Sequence, residues 1–359
     1  MVCLGCQPDQ QMVLYNGSPQ QSLRHKIEVP FLLEPPRLYT PFSHTLPMIE
    51  AVSAKLPFIR NAADLPGPLP TLSEIHNSPP ESRFSSKWDG FSSLGGVTVI
   101  RDIYVVKYGK RVTEYEGNAL LFIEKHLQIR APRLYAMYQD EPSGCFYLIM
   151  EYIQGVNLES IWPSLPNESK SSVTTQLKDM FDQMRSLEPP NNFIGGIDGG
   201  TLRDPPFMTE VPDPRINGPF KSSEEVGLAL ALASRNFWEE TGRPGWLPRF
   251  FTQHLGAALK DHEAKFTHGD LHMRNVVVER VLEDSSSGGE IKQHYEYRVR
   301  GIVDWESAGW YPAYWEYASA LARAHEETDW PEHVGKMMKP YPLELSMIFL
   351  VFQDLQLIY

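Results

Sequence analysis

Regular patterning begins late in this chain. Val97 and Val99, then Ile103 and Val105, alternate with polar neighbours around Arg101-Asp102, which predicts two strands joined by a tight turn. The second strand closes on Val105-Val106-Lys107. In the following segment, EGNALLFIEKHL, the residues Leu120, Ile123 and Leu127 share one helical face, and Ala131-Pro132 ends the helical region. The apolar run Cys145-Phe146-Tyr147-Leu148-Ile149-Met150 predicts a buried strand. The order is therefore strand, strand, helix, strand.

Beyond Gly155 the period lengthens. Val173, Leu177, Met180, Phe181, Met184 and Leu187 form a helical stripe that Pro189-Pro190 stops. Ser222 and Glu225 have the spacing of a capping box opening a helix that runs through Trp238, and a further helix is expected over Phe250–Glu263. Two strands follow, Asn275–Val278 and Tyr297–Asp304, with SSSGGE between them as a flexible insertion, and Tyr314–Glu326 and the closing segment are helical again. Prolines recur every few residues between Pro30 and Pro80, which forbids long regular elements there. The pattern divides the chain into an extension over residues 1–80, a small β-rich lobe over 81–153, and a larger, mainly helical lobe over 154–359.

Composition narrows the class of function. Of the 359 residues 42% are hydrophobic, enough for a sizeable core. The 33 Lys and Arg against 45 Asp and Glu leave a net charge of −12, which repels nucleic acid and anionic lipid as partners of the whole surface. The longest apolar run near the C-terminus, Ile348–Phe352, is far short of a membrane span. The N-terminal residues lack a basic segment followed by an apolar one, and three cysteines make no disulfide framework, so a reducing, cytoplasmic setting is expected. The aromatic cluster Trp305, Trp310, Tyr311, Tyr314, Trp315 and Tyr317 is expected to pack as core.

The chemistry concentrates in His268-Gly269-Asp270-Leu271-His272-Met273-Arg274-Asn275 and, 29 residues after Asn275, in Asp304 of IVDWE. Both acidic residues sit at strand-to-loop transitions, from which side chains project into a cleft. Phosphoryl transfer needs an aligned hydroxyl, an acceptor for its proton, and Mg2+ on the phosphates. Asp270 can take the proton, while Asn275 offers a neutral oxygen and Asp304 an anionic one, the hard ligands that Mg2+ selects.

THGDLHMRN with IVDWE resembles the catalytic loop and metal motif of the aminoglycoside phosphotransferase family, relatives of choline kinases and protein kinases. The segments WYPAYWEYA and LIMEYIQGVNL are similar to a fungal-type branch, and the resemblance spans about residues 95–330. It implies a protein-kinase-like α+β fold of two lobes, with ATP between them and a small hydroxylated molecule as acceptor. Residue by residue, it implies that Lys107 reaches the phosphates and Glu116 pairs with it, with Glu114 as a competing partner. Met150 would border the adenine, and the backbone from Glu151 to Ile153 would hydrogen-bond the base. Asp270 would be the base, Asn275 and Asp304 the metal ligands, and His268 a scaffold, with His272 beside it. For Glu306 the two readings are contact with a second ion and capping of local backbone, the second being preferred.

The pattern departs from its relatives at the phosphate lid. Gly95-Gly96 precede the first strand, and the Arg101-Asp102 turn lacks glycine, so the lid over ATP would be minimal. Three rival functions share some of these residues. A protein kinase is disfavoured because VDWE stands in place of DFG and no APE-type segment follows. The others are a nucleotide-binding pseudokinase that serves as an interaction protein, and a metal-dependent hydrolase that would use His268, Asp270 and His272 as ligands.

Overall fold

Residues 53–79, 83–84, 95–190, 193–242, 245–287, 290–324 and 328–357 are described by a computed structural model. The first lobe contains, in chain order, β1 (Phe58–Ile59), α1 (Leu72–His76), β2 (Arg83–Phe84), β3 (Gly95–Ile100), β4 (Tyr104–Gly109), α2 (Tyr115–His126), β5 (Leu134–Asp140) and β6 (Cys145–Glu151). The strands form one six-stranded sheet in the order β1-β5-β6-β4-β3-β2, and every neighbouring pair is antiparallel.

Side-chain alternation gives this sheet two buried faces. On the outer face Tyr104, Val106, Tyr147 and Ile149 pack with Ile75, Leu65 and Leu69 of the proline-rich segment. On the inner face Phe146, Leu148 and Met150 meet Leu120, Phe122 and Ile123 of α2. Lys107 shares the parity of Val105, so it points to the inner face with α2. Gly117 lets α2 lie close to the sheet, because a Cβ there would come within 2.6 Å of Met137 Sδ and 2.9 Å of Leu148 Cδ1. Burial on both faces also explains why β5 escaped the pattern: LYAMYQD has no polar face to mark it as a strand.

The described part of the proline-rich extension binds through short-range devices. Arg60 N donates to Tyr135 O at 2.9 Å, Tyr104 Oη donates to Gly67 O at 2.6 Å, and Thr71 and Glu74 cap α1 reciprocally. Residues 1–52 of that extension lie outside the described residues.

The register of β2, β3 and β4 corrects the reading of the lid. Phe84 faces Val97 and Val97 faces Lys107, so the end of β2 and the start of β3 stand at the Lys107 end of the sheet. Residues 85–94 lie outside the described residues. The Arg101-Asp102 turn is at the other end, about 10 Å of strand from Lys107. There both residues have positive φ (58° and 52°), and Arg101 is held by Pro68 O at 3.0 Å and Glu74 at 3.2 Å. Gly95 and Gly96 do not precede the first strand but belong to β3, opposite Gly109 and Tyr108.

The second lobe continues with β7 (Val156–Asn157), α3 (Leu158–Ile161), α4 (Asn167–Ser186), β8 (Gly195–Gly196), α5 (Pro214–Asn217), α6 (Ser223–Thr241), α7 (Leu247–Ala258), β9 (Ala264–Thr267), β10 (Val276–Ser287), β11 (Glu290–Ile302), β12 (Gly309–Pro312), α8 (Trp315–Ala322), α9 (Trp330–Met337) and α10 (Pro342–Asp354). Its strands make two three-stranded sheets, β11-β10-β7 and β8-β12-β9. The helix expected to reach Glu263 stops at Ala258, and residues 264–267 pair with β12 instead. The supposed insertion is the end of a continuous hairpin, paired from Val276↔Ile302 to Ser287↔Glu290; Gly288 and Gly289 lie outside the described residues. Ser222 Oγ accepts from Glu225 N at 3.3 Å, but the Glu225 carboxylate accepts from Lys221 N at 2.7 Å rather than from Ser222. Trp305, Trp310, Tyr311, Tyr314 and Trp315 are fully buried, as expected of core. No helix among the described residues is long and apolar enough to cross a membrane.

Candidate active site

Lys107 joins the two lobes. Its Nζ lies 2.7 Å from Glu116 Oε2 on α2, 2.6 Å from Asp304 Oδ1 and 3.3 Å from Glu306 Oε2. Glu116, not Glu114, is therefore the partner; Glu114 stands one residue before α2. Glu306 does not serve local backbone, as preferred from sequence, but turns its carboxylate to the same ammonium. Burial opposes the lysine's charge, yet Asp304, Glu116 and Glu306 together hold it well above its usual range. Burial also dominates at Glu116, whose carboxyl is pushed up to about 7 despite Lys107. The oxygens of Glu116, Asp304 and Glu306 lie within 4.8 Å of one another. Asp304 itself has φ 67°, a left-handed conformation that sets it off from β11.

The loop after β9 is fixed through His268, which is fully buried. Its backbone N donates to Glu316 Oε2 at 2.6 Å, its Nε2 lies 3.0 Å from Val303 O, and its ring meets Trp305 edge-on at 4.5 Å. Asp270 N donates to His268 Nδ1 at 3.2 Å. Both ring nitrogens are thus engaged, which fits a scaffold and removes His268 from the ligand set of the hydrolase reading. Asp270 Oδ1 lies 3.1 Å from His272 Nε2, and its Oδ2 accepts from Asn275 Nδ2 at 3.0 Å. Burial works against the Asp270 charge, but the hydrogen bond and charge of His272 and the nearby Arg323 outweigh it and hold the carboxyl well below the usual range.

Asn275 is tied to both halves of the site. Its Nδ2 also donates to Asp270 O at 2.8 Å, and its backbone O accepts from Val303 N at 2.9 Å, one residue before Asp304. With the amide nitrogen committed to Asp270, the amide oxygen is the atom Asn275 retains for a cation. The remaining expected positions, Met150, Glu151 and Ile153, border the end of β6, with Met150 and Ile153 buried. Glu151 N donates to Arg133 O and Tyr152 N to Ile103 O, each at 2.9 Å. Of these three amides only Ile153 N has no backbone partner among the described residues, which narrows the donors left for a base.

Three further residues support this arrangement and escaped the sequence reading: Glu316, which holds His268, and the pair Asp204 and Arg323. Glu316 lies inside the quoted WYPAYWEYA, of which only the aromatic residues carry an expectation, that of core packing. Asp204 and Arg323 are 119 residues apart and meet only through the fold. A cavity of about 720 Å³ lies between residues 205–216, α6 and Leu355 and Leu357, and none of the expected site residues lines it.

Comparison with known proteins gives this geometry a context. Among curated proteins none matches the sequence. Among solved structures, the apo form of a thermostable mutant of aminoglycoside phosphotransferase APH(4)-Ia is 14% identical, with 77% of this chain and 85% of that chain covered at a TM-score of 0.51. ADP-bound aminoglycoside phosphotransferase APH(2'')-Ib is also 14% identical, with coverage of 77% and 84% and a TM-score of 0.51. At that identity the likeness is one of fold, the two-lobed kinase-like fold of the aminoglycoside phosphotransferases. Residues 104–338, well over half of the chain and the stretch from β4 to just beyond α9 that carries Lys107, Asp270 and Asp304, match the phosphotransferase enzyme family, and to that family the chain belongs.

Proposed function

We propose that this phosphotransferase uses ATP and Mg2+ to phosphorylate a hydroxyl of a small molecule, with Asp270 as general base. The observation that carries the reading is the 2.6 Å contact between Lys107 of the sheet and Asp304 of the helical lobe, which draws a cation and the intended metal-binding carboxylate to one point. Lys107, oriented by Glu116, would hold the α- and β-phosphates, and Ile153 N would donate to the adenine beside Met150. Glu116, Asp304 and Glu306 gather three carboxyl groups around the single ammonium, a set of hard oxygen donors suited to a divalent cation. Asp304 and Asn275 would hold Mg2+, which supplies neutralisation of phosphate charge.

In the reaction the acceptor oxygen attacks the γ-phosphorus as the bond to the β,γ-bridging oxygen breaks, and ADP leaves. The hydroxyl proton passes to an Asp270 oxygen. A carboxylate held ionised by its surroundings suits that task, because proton transfer in a loose transition state comes late and asks for position more than basicity. Asn275 and His272 keep the carboxylate pointed by occupying one oxygen each.

The test is thermal unfolding of the purified chain with ATP, with and without Mg2+. Saturation near 100 Kd should add about 2.7 kcal/mol of stability. A shift needing both components supports the site; none with either would refute it. Asp270→Asn should then abolish transfer and keep the shift, whereas Asp304→Ala should lose the Mg2+-dependent part of it. Wild-type turnover in Asp270→Asn would remove Asp270 from the mechanism.

A further inference from the structure

The peptide between Gly269 and Asp270 is held at both ends. Its N–H, that of Asp270, donates to His268 Nδ1 at 3.2 Å. Its carbonyl, that of Gly269, accepts from Arg323 Nη1 at 3.1 Å. The same Nη1 lies 3.9 Å from Asp270 Oδ1. Arg323 is itself fixed by a buried carboxylate: Asp204, with no solvent exposure, accepts from Arg323 Nη2 and, through Oδ2, from Arg323 Nη1 at 3.4 Å and Trp315 Nε1 at 3.0 Å. The guanidinium also lies over the Phe352 ring, 4.7 Å from its centroid.

Two buried opposite charges are a poor source of stability, since their desolvation roughly cancels their attraction. A pair of this kind is better explained by what it orients. The planar fork of arginine can grip a carboxylate with one edge and still present an N–H to a carbonyl, which a lysine cannot do with the same rigidity. From the other side, Ser307 O fills the space where a Gly269 side chain would stand, 2.7 Å from its ideal Cβ.

We propose that Arg323, oriented by Asp204 and Trp315, is a positioning residue for phosphoryl transfer: it fixes the Gly269–Asp270 peptide plane and thereby the direction in which the Asp270 carboxylate meets the acceptor hydroxyl. Among the described residues the polar contacts of the pair run to Asp270, the Gly269 carbonyl and Trp315 and not to Lys107 or Glu116, so it acts on the proton acceptor and not on nucleotide binding. The inference rests on the role given to Asp270 above, and its test separates the two.

ATP turnover with Mg2+, water serving as acceptor, would be measured for the full-length wild type, Asp270→Asn, Arg323→Lys, Arg323→Met and the double variant Asp204→Asn/Arg323→Met. The double variant is neutral and keeps an acceptor for Trp315, so it remains informative if Arg323→Met alone does not fold. Arg323→Met and the double variant should lose about tenfold or more in kcat, with KM for ATP and the ATP-dependent melting shift unchanged, as expected for a misplaced catalytic group. Arg323→Lys should recover part of the loss. Wild-type kcat in both Met-bearing variants overturns the inference, as does a parallel fall in kcat, ATP affinity and melting temperature, which marks a merely structural pair. If Asp270→Asn retains wild-type turnover, it is the base assignment that fails, whatever the Arg323 variants do.

Discussion

Gly269→Ala is the perturbation whose cost can be worked most completely from the structure. Gly269 has φ 86°, where an L-residue with a side chain loses roughly 1–2 kcal/mol. The added Cβ would stand 2.7 Å from Ser307 O and 3.0 Å from Ser307 Cβ. Ser307 O cannot withdraw freely, because it accepts from the buried Tyr311 hydroxyl at 2.9 Å. Forced overpacking of this kind costs about 1–3 kcal/mol, while the stiffer unfolded chain returns about 0.4–1 kcal/mol. The net expectation is a loss of about 1–4.5 kcal/mol. Gly144→Ala supplies the control, since Gly144 has φ 67° but nothing within 4 Å of its ideal Cβ. It should lose only the conformational part, about 1 kcal/mol. Urea unfolding of the two variants beside the wild type reads the difference, and ATP turnover should fall in Gly269→Ala alone. Equal losses in the two variants would refute the reasoning, because the contact with Ser307 would then contribute nothing.

Other expectations follow from single features. Asp102→Gly should stabilise the chain by about 0.5–1 kcal/mol in the same assay, since it relieves one of two adjacent left-handed residues in the three-residue connection between β3 and β4 and keeps the carbonyl that Gln154 contacts. Gly117→Val should push α2 off Met137 and Leu148 and separate Glu116 from Lys107, so the ATP-dependent melting shift should shrink along with stability. At Asp329 burial opposes the charge, but hydrogen bonds from Lys170 and Trp162 outweigh it and hold the carboxyl below its usual range. A lowered pKa stabilises the fold above the unfolded value near 4 and loses that contribution as pH falls through it. The stability gap between wild type and Asp329→Asn should therefore be constant above about pH 7, where His333, 3.7 Å from Asp329, is neutral, and close below about pH 4, as followed by urea midpoints.

The sequence declared the residues that meet at the candidate site more clearly than the architecture around them, and for a physical reason. Asp270 and Asn275 are five residues apart in one loop, and β9 and β10 hold that loop whatever surrounds it, so local spacing carried the information. Lys107 and Glu116 were legible for the same reason, one turn of helix after one end of strand. Strand β5 was not, because both of its faces are buried and alternation leaves no trace. The Arg101-Asp102 turn was misread because a single sequence shows that a turn exists but not which end of the sheet it occupies; only the pairing of Phe84 with Val97 and Val97 with Lys107 decides that. Glu306 was misassigned to local backbone because its partner, Lys107, is 199 residues away.

Asp204 and Arg323 mark the limit of such reading. Neither belongs to a spacing, a stripe or a cap. An arginine at the end of α8 and an aspartate before a pair of prolines read as surface residues, and what makes them consequential is desolvation. Once both are buried, each needs the other, and an N–H that the carboxylate does not take up must find another acceptor. The acceptor within reach is the Gly269 carbonyl. The positioning of Asp270, the proposed base, thus follows from satisfying a buried charge, a requirement that arises only after the chain has folded.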